Sequence, residues 1–218
     1  MNNIITQIIG SSIGTFLAFL FGLFTYFITK TRERWVKHKN ALVELEYLLN
    51  EHLTYIGDNK STGNESIKTM KKPGGFTFNH LKSLRIPIDI ELKLADIQII
   101  NQYFNYKIDI QRINRDFFTL NTANDLLHQS LFSGNVNYSD IDKNKKYLIR
   151  RITEISSYLD LIEHRCKQLL VVVRLRMKKE KNYKHFLINK HKKNLKPSTR
   201  FEIKRELKKL NKEIKNNI

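Results

Sequence analysis

Residues 4–29 constrain this chain more than any other stretch, because they contain no Asp, Glu, Lys, Arg or His. An α-helix needs about 20 apolar residues to cross the hydrocarbon core of a bilayer, and this run is longer. A cleaved signal peptide would carry a basic start, a shorter apolar run and a small-residue cleavage site. A buried core helix of this kind fits poorly in a chain with 28% charged residues. We therefore predict a retained transmembrane anchor over residues 1–30.

Positive charge flanks the predicted anchor on one side only. No basic side chain precedes it, whereas five follow it directly: Lys30, Arg32, Arg34, Lys37 and Lys39. Positively charged flanks stay in the cytoplasm. The sequence therefore predicts a single-pass membrane protein with its N-terminus outside and its C-terminus in the cytoplasm; the resemblance described below implies that the membrane is the bacterial inner membrane.

Small residues recur every four positions along the anchor, and we call them the small-residue ridge: Gly10, Gly14, Ala18 and Gly22. Residues four apart lie on the same side of a helix. Small side chains let two helices approach closely in lipid, so the ridge predicts a homo-oligomer. A row of polar residues runs beside it at the same spacing: Gln7, Ser11 and Thr15. Association would bring this polar row towards a shared axis.

Length and composition bound the rest of the chain. Its 218 residues leave room for one domain and a tail after the anchor. Only eight Gly and three Pro are present, which favours long helices. The single cysteine, Cys166, excludes an intramolecular disulfide and fits a reducing compartment. We predict an all-α chain with one N-terminal transmembrane helix, a cytosolic helical bundle or coiled coil over residues 31–173, and a basic helical tail over residues 174–218.

Apolar spacing divides the predicted bundle into segments. One stripe predicts that the anchor helix continues to about residue 56, and turn residues then predict a mobile loop over residues 57–75. Residues 76–89 are predicted as a short helix or an extended segment, and residues 90–131 as helix. The clearest seam alternates spacings of four and three: Leu148, Ile152, Ile155, Leu159, Ile162, Cys166, Leu169 and Val173. Because the next seam positions are Arg176 and Glu180, the core is predicted to end at Val173.

The net charge of +18 is concentrated in the tail, where residues 174–218 hold 17 Lys and Arg against 4 Asp and Glu. Such a tail can follow a phosphate backbone, lie on an anionic leaflet, or remain a solvated charge run. The candidate polyanion-binding residues are Lys178, Lys179, Lys181, Lys184, Lys190, Lys192, Lys193 and Lys196. Thr199 and Glu202 predict a capping box for a final amphipathic helix.

Motifs that carry catalysis are missing from the sequence, including the Walker A loop, GxGxxG, HExxH, GxSxG and CxxC. The seven His are scattered; His185 and His191 lie six apart, and neither has a Cys or carboxylate at ligand spacing. Arg32 and His38 match the loose R-x5-H pattern of HEPN-type ribonucleases, which a basic chain produces by chance. We predict no enzyme activity, no metal site and no cofactor.

The overall plan resembles small single-pass membrane effectors of bacterial antiviral systems, such as those that accompany retrons, CRISPR modules or abortive-infection loci. The resemblance lies in an N-terminal anchor with its N-terminus outside and a small-residue ridge, followed by a helical cytosolic domain and a basic tail. It implies that infection, or loss of a guarded host complex, releases the protein to damage the inner membrane. It also implies a regulatory protein or ribonucleoprotein as partner. The alternatives are a membrane-tethered nucleic-acid-binding protein and a non-catalytic membrane adaptor.

Overall fold

The computed structural model describes residues 2–75, 78–133, 138–180 and 199–216, without the side chains of residues 2–10, 132, 138, 215 and 216. The described residues form five α-helices: α1 Asn2–Met70, α2 Ile90–Lys93, α3 Ile97–Phe132, α4 Tyr138–Lys179 and α5 Arg200–Asn216. None of these described residues forms a strand. The prediction of an all-α chain is therefore confirmed.

The first helix, α1, runs unbroken for 69 residues. Near its N-terminus it contains a stretch that is long and apolar enough to cross a membrane and has no buried residue. From His38 onwards the same helix contributes buried residues to the folded part of the chain, which we call the helical core (residues 38–180). One element therefore joins the candidate membrane span to the core.

The predicted mobile loop over residues 57–75 is wrong for most of its length, because α1 continues to Met70. Gly63 lies so close to α4 that an added Cβ would stand 3.0 Å from Cγ2 of Ile152. A glycine inside a helix costs about 1 kcal/mol, and such tertiary packing outweighs that cost. The turn begins after Met70 and includes Gly74, whose φ of 72° lies in the left-handed region that favours glycine.

Helices α1, α3 and α4 pack around one hydrophobic core, with α4 antiparallel to the other two. Ion pairs along their lengths show this direction, since Lys60 of α1 pairs with Glu163 at 2.9 Å while Glu46 pairs with Arg174 at 2.7 Å. All eight residues of the predicted α4 seam are buried, which confirms that seam.

Residues 78–89 form an extended connecting segment that returns from the end of α1 towards the start of α3. Three asparagine side chains each bond both the N–H and the C=O of one residue in it. The pairs are Asn59 with Lys82, Asn114 with Leu84, and Asn121 with Leu81, at 2.7–3.1 Å. A carboxamide carries a donor and an acceptor, so it replaces the neighbouring strand that such a backbone would otherwise need. Of the two alternatives predicted for residues 76–89, the extended one is confirmed over residues 78–89; Phe76 and Thr77 lie outside the described residues.

The predicted end of the core at Val173 is wrong. Leu175, Arg176 and Glu180 are all buried, and α4 continues to Lys179. The charged residues are accommodated because each has a buried polar partner, described below. Helix α5 packs against α4 through the buried Leu210. Its predicted capping box is confirmed, since the Thr199 N–H donates to Glu202 Oε2 at 2.9 Å and the Glu202 N–H donates to Thr199 Oγ1 at 3.3 Å.

Candidate functional site

The apolar part of α1 exposes its side chains along its whole described length. Every residue from 11 to 30 is exposed, and the phenylalanine side chains of this segment are largely exposed. An added Cβ at Gly14 or Gly22 would meet nothing within 4 Å. These glycines are therefore not needed for any contact within the chain. Gly10 lies outside the residues whose side-chain surroundings are described.

The predicted polar row is exposed as far as it is described. Ser11 and Thr15 are exposed, and the Thr15 hydroxyl donates to the Ser11 carbonyl at 2.9 Å. The Thr15 hydroxyl therefore uses its one donor within the helix, and the lone pairs of its oxygen can still accept a hydrogen bond from a neighbouring molecule. The Gln7 side chain lies outside the described set.

Four polar side chains meet where α1 enters the helical core, and we call them the junction cluster: His38, Asp96, Arg176 and Glu180. All four are between 1% and 5% exposed. His38 lies eight residues beyond Lys30, which is about 12 Å along a helix. The cluster therefore joins the base of the anchor helix to the start of α3 and the end of α4.

The bonds within the junction cluster form a continuous chain. The Arg176 guanidinium pairs with Asp96 and lies 3.7 Å from Glu180 Oε1. The Ala95 N–H donates to His38 Nδ1 at 3.0 Å, so the ring proton sits on Nε2, 3.1 Å from Glu180 Oε2. Asp96 also caps α3, because it accepts from the N–H of Gln98 at 2.7 Å. Removing Arg176 leaves the buried carboxylates of Asp96 and Glu180 without the guanidinium that lies against both.

A cavity of about 140 Å³ adjoins the cluster, lined by Trp35, Lys39, Leu42, Met177 and Glu180. The Lys39 ammonium lies 5.4 Å from the centroid of the Trp35 ring, which is within range of a cation–π contact. The two residues of the R-x5-H pattern do not share this region. Arg32 is exposed and His38 is buried, because two residues six positions apart point in directions about 120° apart around a helix.

Two further titratable groups in the core have structural partners. Burial lowers the pKa of His52, whose Nδ1 accepts from the Tyr106 hydroxyl at 2.9 Å and whose Nε2 donates to the Arg85 carbonyl at 2.8 Å. Burial raises the pKa of Cys166 to about 12, and its thiol donates to the Leu49 carbonyl at 3.3 Å. Both groups are therefore held in their neutral forms.

The candidate polyanion-binding lysines divide into two groups. Lys178 and Lys179 pair with Glu206 at 3.6 Å and Glu202 at 3.1 Å, so they hold α5 against α4. The other six lie outside the described residues: Lys181, Lys184, Lys190, Lys192, Lys193 and Lys196. Exposed cations of α5, which were not among the predicted site residues, extend the basic surface: Arg200, Lys204, Arg205, Lys208, Lys209 and Lys212.

Within the described part of the chain, no group of three or more His, Cys, Asp or Glu side chains could hold a metal ion. The features that stand out are the exposed membrane segment, the junction cluster and the basic surface of α5. Comparison of the chain with protein-family models, with curated proteins and with solved structures gave no match.

Proposed function

We propose that this chain is a membrane-anchored effector that associates with copies of itself and perturbs the bacterial inner membrane, as an abortive-infection step in antiphage defence. The observation that carries the proposal is the continuity of α1. One helix presents an exposed apolar segment with an open small-residue ridge, and then enters the helical core without a break. The core is assigned to the cytoplasm by the basic residues that follow the anchor.

Association in lipid supplies the mechanism. Small residues allow close backbone contact, and polar groups such as Ser11 and Thr15 gain by facing their equivalents across the interface. The measured gain averages only about 0.6 kcal/mol per contact, so several copies are required. Enough copies enclose a polar path through the bilayer. Because α1 continues into the junction cluster, a regulatory protein or ribonucleoprotein that binds the core controls the anchors.

A non-catalytic adaptor is the second candidate function, and one surface favours it. The outward side of α3 exposes five large apolar side chains: Ile97, Phe104, Ile108, Phe118 and Leu126. Exposed apolar patches on a soluble surface commonly bind another protein. In this case the anchor serves to hold a partner at the membrane.

A membrane-tethered nucleic-acid-binding protein is the third candidate, favoured by the exposed cations of α5. Charge-based binding weakens steeply with salt, because bound counterions are released from the phosphates. A salt-dependent gel shift by the full chain in detergent, together with an unchanged membrane potential, would select this function.

The topology is tested by fusing a reporter after Ile218. We expect a fluorescent protein that matures only in the cytoplasm to be bright, and alkaline phosphatase, which requires the periplasm, to be inactive. The physical reason is the one-sided charge around the anchor. Phosphatase activity at this position would overturn the orientation and the function built on it.

The function is tested by expressing the full chain in bacteria that carry a potential-sensitive dye. We expect depolarisation after induction. The matched control replaces residues 4–29 with a Leu and Ala anchor of equal length, which should insert equally well and leave the potential intact. Equal potentials in the two strains, at equal protein levels, would remove the effector function and place the adaptor first.

A further inference from the structure

The continuity of α1 fixes how its membrane segment is rotated relative to its core-facing side. Each residue advances about 100° around an α-helix. The buried residues of α1 lie within about 60° of the direction of Leu45, and they include His38, Leu49, His52 and Ile56. The direction opposite Leu45 therefore points away from the helical core, and we call it the outer face of α1.

Between residues 33 and 54 of α1, six residues lie within about 40° of this opposite direction. They are Val36, Asn40, Val43, Tyr47, Asn50 and Thr54, and all six are exposed. Val36, Val43 and Tyr47 are 41%, 49% and 72% exposed. None of the six is charged, although charged residues make up 28% of the chain. From residue 33 to residue 54 the outer face is therefore an uncharged stripe, partly apolar, that the chain itself does not cover; the charged Arg32 and Asp58 lie at its two ends.

The spacing of these six residues is that of a helix–helix seam. It alternates four, three, four, three and four, as the a and d positions of a heptad do. Val, Asn and Thr make this a weak seam, because Asn at such positions fixes register at a cost in stability. Anchoring in one membrane raises the effective concentration of the copies, so a weak seam suffices there.

The same direction continues into the membrane segment. From residue 11 to residue 29, the positions within about 40° of it are Ser11, Gly14, Ala18, Gly22, Thr25 and Thr29. None is larger than threonine. Phe16, Phe24 and Phe27 lie on the side of Leu45. The exposed seam outside the membrane and the small-residue ridge inside it therefore occupy one face of one helix.

We propose that the outer face of α1 binds the outer faces of further copies of this chain around a shared axis, in parallel and in register, from Gly14 to Thr54. This inference rests on the self-association in the proposed function and extends that association into the cytoplasm. Forty residues of helix correspond to an interface about 60 Å long. In such an assembly Phe16, Phe24 and Phe27 face lipid and the helical cores lie on the outside.

A second copy fits this face for geometric reasons. The outer face runs along α1 from the membrane segment into the cytoplasm. A helix that covers its whole length must therefore cross and leave the bilayer beside α1. Copies inserted in one direction sit at one depth, so around a shared axis each residue lies level with its own equivalent in the neighbouring copies. Equivalent charges would then repel, and the absence of charge from the six outer-face positions between Val36 and Thr54 avoids this. Arg32, at the membrane surface, is long enough to extend towards the headgroups.

Cysteine crosslinking of the full chain in native membranes tests the interface. Val36→Cys and Val43→Cys lie on the outer face, while Lys37→Cys and Glu44→Cys are exposed and rotated by about 100°. Mild oxidation should produce several times more covalent dimer from the first two. The unsubstituted chain gives the baseline, because Cys166 is buried.

Two further variants separate this inference from the proposed function. Val43→Lys places like charges against each other, so it should abolish crosslinking through Val36→Cys. Ala18→Cys reports association within the membrane by itself. Equal crosslinking at all four cytoplasmic positions, or at none while Ala18→Cys still crosslinks, would overturn the inference and leave anchor association standing. Crosslinking at Val36 and Val43 with an unchanged membrane potential would confirm the interface and overturn the effector function.

Discussion

Replacing Arg176 by alanine should lower the free energy of unfolding by about 3–5 kcal/mol, the range typical of breaking a buried ion pair. Asp96 and Glu180 would then remain buried without the guanidinium that lies against both. Asp96 also caps α3, so its displacement would loosen the start of that helix. The effect should appear as a lower midpoint in denaturant unfolding of the full chain in detergent.

Arg174→Ala is the matched control, two residues earlier on the same helix. Arg174 pairs with Glu46 and Glu213, but about a third of its side chain is exposed. Exposed pairs contribute about 0–1 kcal/mol, so this variant should shift the midpoint little. Equal small shifts for both variants would mean that the junction cluster does not hold the core to the anchor helix.

Replacing Gly14 by isoleucine should remove most of the crosslinked oligomer from native membranes, and depolarisation with it. The β-branched side chain separates backbones that a glycine lets approach closely. Insertion should be unaffected, because isoleucine is at least as apolar as glycine. Folding of the single chain should also be unaffected, since a Cβ at this position meets nothing within 4 Å.

Phe19→Ile is the control for this variant, because Phe19 is exposed on α1 away from the ridge. It should leave both crosslinking and membrane potential close to those of the unsubstituted chain. If Gly14→Ile also leaves both unchanged at constant protein level, the ridge is an ordinary feature of an anchor. The exposed apolar side of α3 would then make the adaptor the leading function.

Local patterns in the sequence were sufficient to predict several elements correctly. The α4 seam is repeated over several turns, so its period identifies the buried face before any partner is known. The capping box at Thr199 and Glu202 is likewise formed by residues three apart. The absence of charge over residues 4–29 predicts a helix that is long and apolar enough to span a membrane, and the structure has one.

Features that depend on distant residues could not be predicted in this way. Gly63 and Asn59 resemble turn residues locally, and only the contact with Ile152 and the bonds to Lys82 explain why the helix continues. A charged residue at seam position 176 indicates the end of a core, because its partner Asp96 lies 80 positions earlier in the chain and is not visible in the local pattern. The sequence alone does not show which polar residues will meet, so a buried polar cluster looks like a solvated end.

The most direct test of membrane perturbation uses the purified full chain in vesicles that contain a trapped dye. Release should rise more steeply than in proportion to the protein-to-lipid ratio, because a path through the bilayer needs several copies. Gly14→Ile should abolish release at every ratio, and Phe19→Ile should not. If vesicles with the unsubstituted chain retain their dye as well as those with Gly14→Ile, this protein does not perturb membranes by associating through its anchor.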